Sequence, residues 1–164
     1  MSDDDLARLA ETLGERLAAA GLMLATAESC TGGWIAKCIT DVAGSSGWLE
    51  RGFVTYSNAA KQELLGVEAV TLAEHGAVSE PVVRQMAAGA VSRSGAQVAV
   101  AVSGIAGPGG GSTEKPVGMV CFGFALPGGV STETRHFQGD RESVRRHAVA
   151  HALRRLIELL GWAT

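Results

Sequence analysis

The stretch Thr26-Ala27-Glu28-Ser29-Cys30-Thr31-Gly32-Gly33 follows an apolar run at 22–25 and precedes a segment, 34–42, whose apolar residues recur at helical spacing. This order predicts a strand, a tight turn and a helix, with the Ser29 hydroxyl on the turn. A helix N-terminus has free N–H groups and a partial positive charge, so an oxyanion beside Ser29 would meet donors. The two glycines would let a ligand approach the backbone. A plain N-cap with glycines chosen for packing fits this segment equally well.

Helical and extended patterns alternate along the rest of the chain. Helices are expected from about residue 6 to near Gly21 and at about 31–42, 58–65, 79–91 and 140–160, and strands at about 22–27, 52–56, 97–102, 117–125 and 130–137. The strand at 97–102 is apolar on both faces, which is typical of a central strand, whereas 130–137 alternates with polar residues and suits an edge. No internal repeat or linker is visible. Residues 1–164 are therefore predicted to form a single-domain, three-layer α/β/α sandwich with a mostly parallel, mixed central sheet.

Composition narrows the class of protein. A chain of 164 residues with 46% apolar and 19% charged residues is typical of one well-cored globular domain. The net charge of -3 argues against a broad nucleic-acid-binding surface. No apolar run approaches the roughly 18 residues of a membrane span, and the acidic start at 1–5 is unlike a signal peptide. We therefore expect a cytoplasmic protein with neither a nucleic-acid nor a membrane partner.

The cysteines and histidines do not form a metal-binding pattern. The three cysteines are odd in number, lack C-x-x-C spacing and lie in apolar surroundings, so reduced thiols are expected at 30, 38 and 121. His147 and His151 are spaced i and i+4 but lack the glutamate of a zinc-binding helix, so they are interpreted as helix-surface residues. We expect neither a metal nor an organic cofactor.

Four segments rich in polar residues or glycine lie at strand ends or at the start of a helix: 29–33, 56–61, 103–115 and 139–145. Ligands of open α/β sheets bind outside the carboxyl ends of strands, so we expect these segments to converge. Arg141 stands in the first turn of the last helix, where the helix dipole disfavours a cation, and Arg145 follows at i+4. A bound phosphate would relieve both penalties, although a solvated basic face is the alternative. The glycine-rich segment matches neither a Walker A loop nor a complete dinucleotide fingerprint.

Several uninterrupted motifs resemble one known family. They are Ala27-Glu28-Ser29-Cys30-Thr31-Gly32-Gly33, then Gly52-Phe53-Val54-Thr55-Tyr56-Ser57-Asn58 with Lys61, then Gly76-Ala77-Val78-Ser79, and finally Ser103-Gly104-Ile105-Ala106-Gly107-Pro108 running to Lys115-Pro116-Val117-Gly118. In this order, over nearly the whole chain, they resemble the CinA C-terminal domain family in its stand-alone nicotinamide-nucleotide amidase form. The resemblance implies hydrolysis of nicotinamide mononucleotide to nicotinate mononucleotide and ammonia in pyridine-nucleotide salvage. It also implies that the protein is a homodimer and that its ligand is this small-molecule nucleotide.

The resemblance also implies roles for individual residues. Ser29 falls on the nucleophile, Lys61 on its base and Tyr56 on the tyrosine beside them. Further substrate contacts are expected from Cys30, Thr31, Gly32, Gly33, Ser103, Gly104, Arg141 and Arg145. Thr is frequent in the family where Ser103 stands, and serine keeps the hydroxyl. Asp is frequent where Gly109 stands, so the family's ligand contacts in that loop are not carried over to this chain.

The implied chemistry makes sense from the residues themselves. A serine hydroxyl needs a base, and a lysine can serve if its pKa falls about 3 units from 10.4, a perturbation of roughly 4 kcal/mol that desolvation can supply. Ser29 would attack the amide carbon as Lys61 accepts its proton, while N–H groups at 30–32 hold the oxyanion. Protonated Lys61 would then donate to the departing ammonia, with Tyr56 relaying or orienting that proton, before water hydrolyses the acyl-enzyme.

Three alternatives remain open at this level. Cys30 could be the nucleophile in place of Ser29. The chain could instead be a binding module that captures a nucleotide without chemistry. It could also be a structural partner domain, which predicts no pocket at these strand ends. On the residues alone, Lys61 would then be an exposed lysine on a short helix and Tyr56 a core aromatic.

Overall fold

The central sheet sets the architecture of this computed structural model, which describes residues 1–162. Its strands are β1 (Leu24–Glu28), β2 (Leu49–Val54), β3 (Val98–Gly104), β4 (Met119–Leu126) and β5 (Gly129–His136), and its α-helices are α1 (Asp3–Ala20), α2 (Trp34–Thr40), α3 (Asn58–Leu65), α4 (Ala69–His75), α5 (Glu80–Ser92) and α6 (Arg141–Trp162). A 3₁₀ turn, Ser45–Gly47, precedes β2. The helices cover both faces of the sheet, so the predicted three-layer α/β fold is confirmed.

The strands are ordered β2-β1-β3-β4-β5. β1 pairs in parallel with β2 and β3, whereas β4 is antiparallel to both β3 and β5. Within the described residues β4 is thus the one strand that runs against the other four, which confirms a mixed and mostly parallel sheet. The carboxyl ends of β1, β2 and β3 therefore meet at one edge, where the loops that follow them are brought together.

The central strand β3 shows how the sequence divides the core. Val98, Val100 and Val102 belong to the apolar cluster shared with α1, α2 and α6, whereas Ala99 and Ala101 belong to the cluster shared with α3, α4 and α5. Successive side chains of a strand point to opposite faces, so this alternation places bulky residues under α6 and small ones under α5.

Small residues let α5 approach its neighbours closely. A Cβ at Gly89 would lie 1.9 Å from the carbonyl oxygen of Leu65, and one at Gly123 would lie 2.3 Å from that of Val83. No side chain fits at either position without moving backbone. Glycine at these two positions thus holds α5 against the end of α3 and against β4.

Several boundaries differ from the sequence-based expectation. The helix after Ser29 begins at Trp34 rather than near residue 31, because Gly32 and Gly33 have positive φ angles of 61° and 100° and form a turn instead. The helix α4 was not predicted, since Gly66 ends α3 and the short segment that follows lacks a clear helical stripe. The second strand begins at Leu49 rather than at residue 52.

The surroundings of His151 differ from its interpretation. His151 is not a helix-surface residue: its ring lies 4.7 Å from that of Phe122, and its Nε2 contacts the Glu133 carboxylate. Ser79 occupies the N-cap position of α5, but its hydroxyl donates to the Gly76 carbonyl at 2.7 Å rather than capping the helix. Within residues 1–162 no helix combines the length and apolar character that a membrane crossing requires.

Candidate active site

A pocket of about 280 Å³ lies at the carboxyl ends of β1 and β3. It is lined by Ser29, Cys30, Tyr56, Asn58, Lys61, Ala77, Ser103, Gly104, Ala106 and Arg141. The four segments expected to converge contribute most of this lining. A structural domain without a pocket at these strand ends is therefore a poor description of the chain.

The Lys61 amine lies against the Ser29 hydroxyl inside this pocket. Its Nζ is 2.9 Å from Ser29 Oγ, and it also donates to the carbonyl oxygens of Thr55 at 2.8 Å and Tyr56 at 3.3 Å. Only 1% of Lys61 is exposed, and this burial lowers the pKa of its amine. A buried amine favours its neutral form because desolvation penalises the charge.

The local sequence explains why Lys61 points inward. Residues 55 and 56 follow β2, and Ser57 then caps α3, its hydroxyl accepting from the Ala60 N–H at 3.0 Å. Lys61 stands one turn into this helix, and helical side chains tilt towards the N-terminus, so its amine reaches back to the carbonyls that precede the helix.

The hydrogen-bond partners of the Lys61 amine suit both of its protonation states. A neutral amine has two N–H bonds and one lone pair. The carbonyls of Thr55 and Tyr56 can only accept, so they take the two N–H bonds and leave the lone pair facing the Ser29 hydroxyl. After protonation the third N–H has Ser29 Oγ as its acceptor. The site therefore has partners for both protonation states of the amine and can move a proton between Nζ and Oγ.

The turn that carries Ser29 is held by a buried carboxylate. Glu28 accepts from the Thr31 hydroxyl at 2.7 Å and from the N–H groups of Ile35 at 2.8 Å and Ala36 at 3.1 Å. Burial raises the pKa of Glu28, and these hydrogen bonds oppose that rise. Glu28 thus supplies the cap of α2 that a residue at the helix start would normally provide.

Most donors of the turn are already engaged. The Ser29 N–H donates to the Val102 carbonyl at 3.0 Å, and the Gly32 N–H donates to the Ser29 carbonyl at 3.1 Å. Within residues 1–162, no carbonyl or other side chain accepts from the N–H groups of Cys30 and Thr31. Of the three residues expected to supply oxyanion donors, Gly32 is excluded because its N–H is engaged, and Thr31 does not line the pocket. The Cys30 N–H is the donor that remains.

The two arginines at the start of α6 have different surroundings. Arg141 lines the pocket, where its guanidinium donates to the Gly107 carbonyl at 2.8 Å and to the Tyr56 phenol oxygen at 3.4 Å. Arg145 donates instead to the carbonyls of Cys30 at 3.0 Å and Thr31 at 3.2 Å. Arg145 therefore braces the outside of the nucleophile turn, whereas Arg141 is placed to meet a ligand.

Four of the expected substrate contacts do not line the pocket. Thr31 is fully buried, and its hydroxyl donates a hydrogen bond to the Glu28 carboxylate. Gly32, Gly33 and Arg145 line a separate cleft together with Trp34. Residues 31–33 form the turn, and Arg145 contacts it from outside. They do not reach the pocket because the chain turns away from the strand ends before α2 begins.

The other expected contacts do line the pocket, with one difference in detail. Tyr56 is 65% exposed, so it is not a core aromatic, and its phenol meets Arg141 rather than the pair at 29 and 61. Only its backbone carbonyl contacts Lys61. Sequence reasoning missed Asn58, Ala77 and Ala106; the i and i+3 spacing to Lys61 could have indicated Asn58, but the two alanines carry no chemical signal.

Cys30 is poorly suited to act as the nucleophile. It is 8% exposed, and burial raises the pKa of its thiol to about 12. The thiolate is the reactive form of cysteine, so little of it exists near neutral pH. Within residues 1–162 there is also no cluster of three or more histidine, cysteine or acidic side chains that could hold a metal ion.

Comparison with known proteins shows the family of the chain. The family described as the CinA C-terminal domain matches residues 6–160. The chain belongs to the CinA C-terminal domain family. Among curated relatives, a protein from Escherichia coli (strain K12) named nicotinamide-nucleotide amidohydrolase PncC is 59% identical, with 95% of each chain covered. One of the same name from Pseudomonas putida is 53% identical, covering 95% of this chain and 98% of the relative.

Solved structures of this family share the fold. The competence/damage inducible protein CihA from Agrobacterium tumefaciens has a TM-score of 0.91 at 50% identity and covers 94% of this chain and 95% of that one. A CinA superfamily protein from Klebsiella pneumoniae has a TM-score of 0.92 at 40% identity, covering 95% and 98%. The three-layer arrangement around the pocket is therefore a property of the family.

We predict that the native protein resists thiol alkylation at all three cysteines. Each is buried, and burial raises each pKa, to about 12 for Cys30 and about 11 for Cys38. Iodoacetamide at pH 8, followed by peptide mass spectrometry, should label none of them without denaturant and all of them in denaturant. Rapid native labelling of Cys30 would contradict this and would revive the cysteine as a nucleophile.

Proposed function

We propose that this protein hydrolyses the carboxamide of nicotinamide mononucleotide, releasing ammonia and nicotinate mononucleotide for pyridine-nucleotide salvage. The observation that carries the proposal is the buried Lys61 amine, whose Nζ lies 2.9 Å from Ser29 Oγ and whose other partners are the carbonyls of Thr55 and Tyr56. Relatives covered over nearly their whole length carry the name nicotinamide-nucleotide amidohydrolase. A module that only bound the nucleotide would gain nothing from a desolvated amine, which costs folding free energy.

The reaction begins at Ser29. Its oxygen attacks the amide carbon as the hydroxyl proton passes to Lys61 Nζ, 2.9 Å away. Negative charge develops on the former carbonyl oxygen, and the free N–H group of Cys30, a residue that lines the pocket, is the donor available to it. Charge on Lys61 and charge on the oxyanion therefore appear together, which limits the cost of forming either in a dry pocket.

The intermediate then collapses. The C–N bond breaks, the protonated Lys61 gives its proton to the leaving nitrogen, and ammonia departs from an ester on Ser29. A water molecule gives a proton to the neutral Lys61 and attacks the ester carbon. When the C–O bond to the enzyme breaks, Lys61 returns the proton to the Ser29 oxygen. The product is released as a carboxylic acid, which loses its proton to solvent at neutral pH.

Arg141 and Tyr56 hold the rest of the substrate. Of the side chains that line the pocket, Lys61 and Arg141 carry the cationic groups, so with Lys61 committed to Ser29 the phosphate falls to Arg141. The Tyr56 residue spans the two ends, since its backbone carbonyl contacts Lys61 and its phenol contacts Arg141. Its exposed ring offers a flat face for the pyridine ring. We accordingly propose a substrate-holding role for Tyr56 in place of the proton relay.

Removing either member of the Ser29 and Lys61 pair should abolish turnover. We expect Lys61→Met to lower kcat for nicotinamide mononucleotide by about 10²- to 10⁴-fold, the usual contribution of proton transfer, and Ser29→Ala, which removes the nucleophile, to lower it at least as much. In the wild type, kcat/KM should rise with pH as Lys61 loses its proton, and burial places this rise below the ordinary lysine pKa. Ammonia release measured from pH 5 to 10 tests both points.

Lys37→Met is the matched control for the lysine variant, because Lys37 is an exposed residue of α2 that pairs with Asp41. It should retain wild-type turnover. If the wild type binds nicotinamide mononucleotide in calorimetry but releases no ammonia at any pH, the amidase proposal is wrong and the chain is a binding module.

Substitutions of the two arginines should differ in how strongly their effects depend on the substrate phosphate. Arg141→Gln should raise KM for nicotinamide mononucleotide at least about tenfold, as expected for a lost charge-assisted contact, while the riboside, which has no phosphate, should be affected much less. Arg145→Gln should lower turnover of both substrates alike, since it loosens the turn. Steady-state kinetics on both substrates decide this, and equal loss on both substrates in Arg141→Gln would refute the phosphate assignment.

Two substitutions of Tyr56 distinguish a holding role from a proton relay. Tyr56→Phe keeps the ring and should retain kcat within about threefold, because the phenol hydroxyl is bonded to Arg141 and not to the catalytic pair. Tyr56→Ala should raise KM about tenfold through loss of aromatic contact. A drop of about 100-fold in kcat for Tyr56→Phe would show instead that the hydroxyl transfers a proton.

A further inference from the structure

One polar side chain in the pocket has no role in the scheme above. Ser29 and Lys61 are bonded to each other, as are Tyr56 and Arg141. Ser103 already stands as an expected substrate contact. The side-chain amide of Asn58 also lines the pocket, and within residues 1–162 it makes no hydrogen bond. It therefore has both an acceptor oxygen and a donor nitrogen to offer a ligand.

The position of Asn58 places it beside the base. It is the first residue of α3, and Lys61 follows at i+3, a spacing that puts two side chains on the same face of a helix. Ser57 caps this helix and orders its first turn, which fixes the positions of Asn58 and Lys61 relative to each other. Asn58 and Lys61 therefore line the same pocket from one face of α3.

A primary carboxamide presents two kinds of group to the pocket. Its oxygen must face an N–H donor, which the turn after Ser29 provides. Its nitrogen carries two N–H bonds that need an acceptor, and the Lys61 amine is already committed to two carbonyls and Ser29. The Asn58 side-chain oxygen is a neutral acceptor beside Lys61, so it suits these N–H bonds without adding a charge that would keep the amine protonated.

We propose that Asn58 is a specificity-determining residue that accepts a hydrogen bond from the N–H of the substrate carboxamide. The bond selects a primary amide over an ester of the same nucleotide. It also turns the lone pair of the leaving nitrogen towards the protonated Lys61, which must deliver a proton there. This inference rests on the proposed amidase function and names the group by which the site recognises its substrate.

The test compares an amide and an ester that give the same product. Wild type and Asn58→Leu are assayed with nicotinamide mononucleotide and with the methyl ester of nicotinate mononucleotide, and nicotinate mononucleotide is measured by chromatography. Loss of one hydrogen bond predicts that kcat/KM for the amide falls about tenfold in Asn58→Leu. The ester has no N–H to donate, so its kcat/KM should stay within about twofold.

Two further variants sharpen the result. Asn58→Asp keeps an acceptor and should retain the preference for the amide, while its negative charge should move the rise of kcat/KM to higher pH by favouring protonated Lys61. Gln62→Leu, on the same helix, is the control. Within residues 1–162 the Gln62 side chain bonds only to the Asn58 backbone carbonyl, so this substitution should leave both substrates unaffected.

Each outcome is decisive. A tenfold loss confined to the amide supports the proposal. Equal loss on amide and ester, or no loss on either, overturns it while leaving the amidase function intact. A wild type that releases no ammonia from nicotinamide mononucleotide overturns the proposed function and this inference with it. Thermal melting of each variant checks that folding is unchanged, which the exposed position of Asn58 favours.

Discussion

The site depends on one constraint: a buried amine needs a hydrogen-bond partner for each of its N–H bonds and for its lone pair. Lys61 Nζ is surrounded by two carbonyl oxygens and one hydroxyl, and only 1% of the residue is exposed. Carbonyls cannot donate, so they fix which two of the three directions carry N–H bonds when the amine is neutral. The remaining direction belongs to Ser29. A lysine in water has no such preference, and its pKa is too high to serve as a base.

The rest of the fold keeps these partners in place. The Thr55 N–H donates to the Glu28 carbonyl at 2.9 Å, so the carbonyls that hold Lys61 are tied to the strand that delivers Ser29. The Glu28 side chain caps α2 from inside, and Arg145 secures the turn from outside. The nucleophile is thus fixed from the strand before it, from the helix after it and from α6. Buried carboxylates are costly, and this one is retained where it orders backbone beside the reacting group.

The geometry also separates residues that look equivalent in the sequence. Arg141 and Arg145 lie one turn apart on α6, yet only the first lines the pocket, because the second is taken up by the carbonyls of residues 30 and 31. Tyr56 and Lys61 exchange their ordinary environments: the aromatic residue is exposed and the lysine is buried. In both cases one contact partner lies in a segment distant in the chain, so the local sequence pattern does not indicate the contact.

Local physics was enough for the architecture. The doubly apolar run at 98–102 had to be a central strand, the polar alternation at 130–137 suited an edge, and strands separated by helices had to align their carboxyl ends. The motif resemblance pointed to the pair at 29 and 61, but only the tertiary structure placed their atoms 2.9 Å apart and supplied the two carbonyls that orient the amine. The short α4, the late start of α2 and the bracing role of Arg145 depend on long-range contacts as well. Periodicity reports which face of an element is buried, whereas a proton-transfer geometry depends on where separate elements meet.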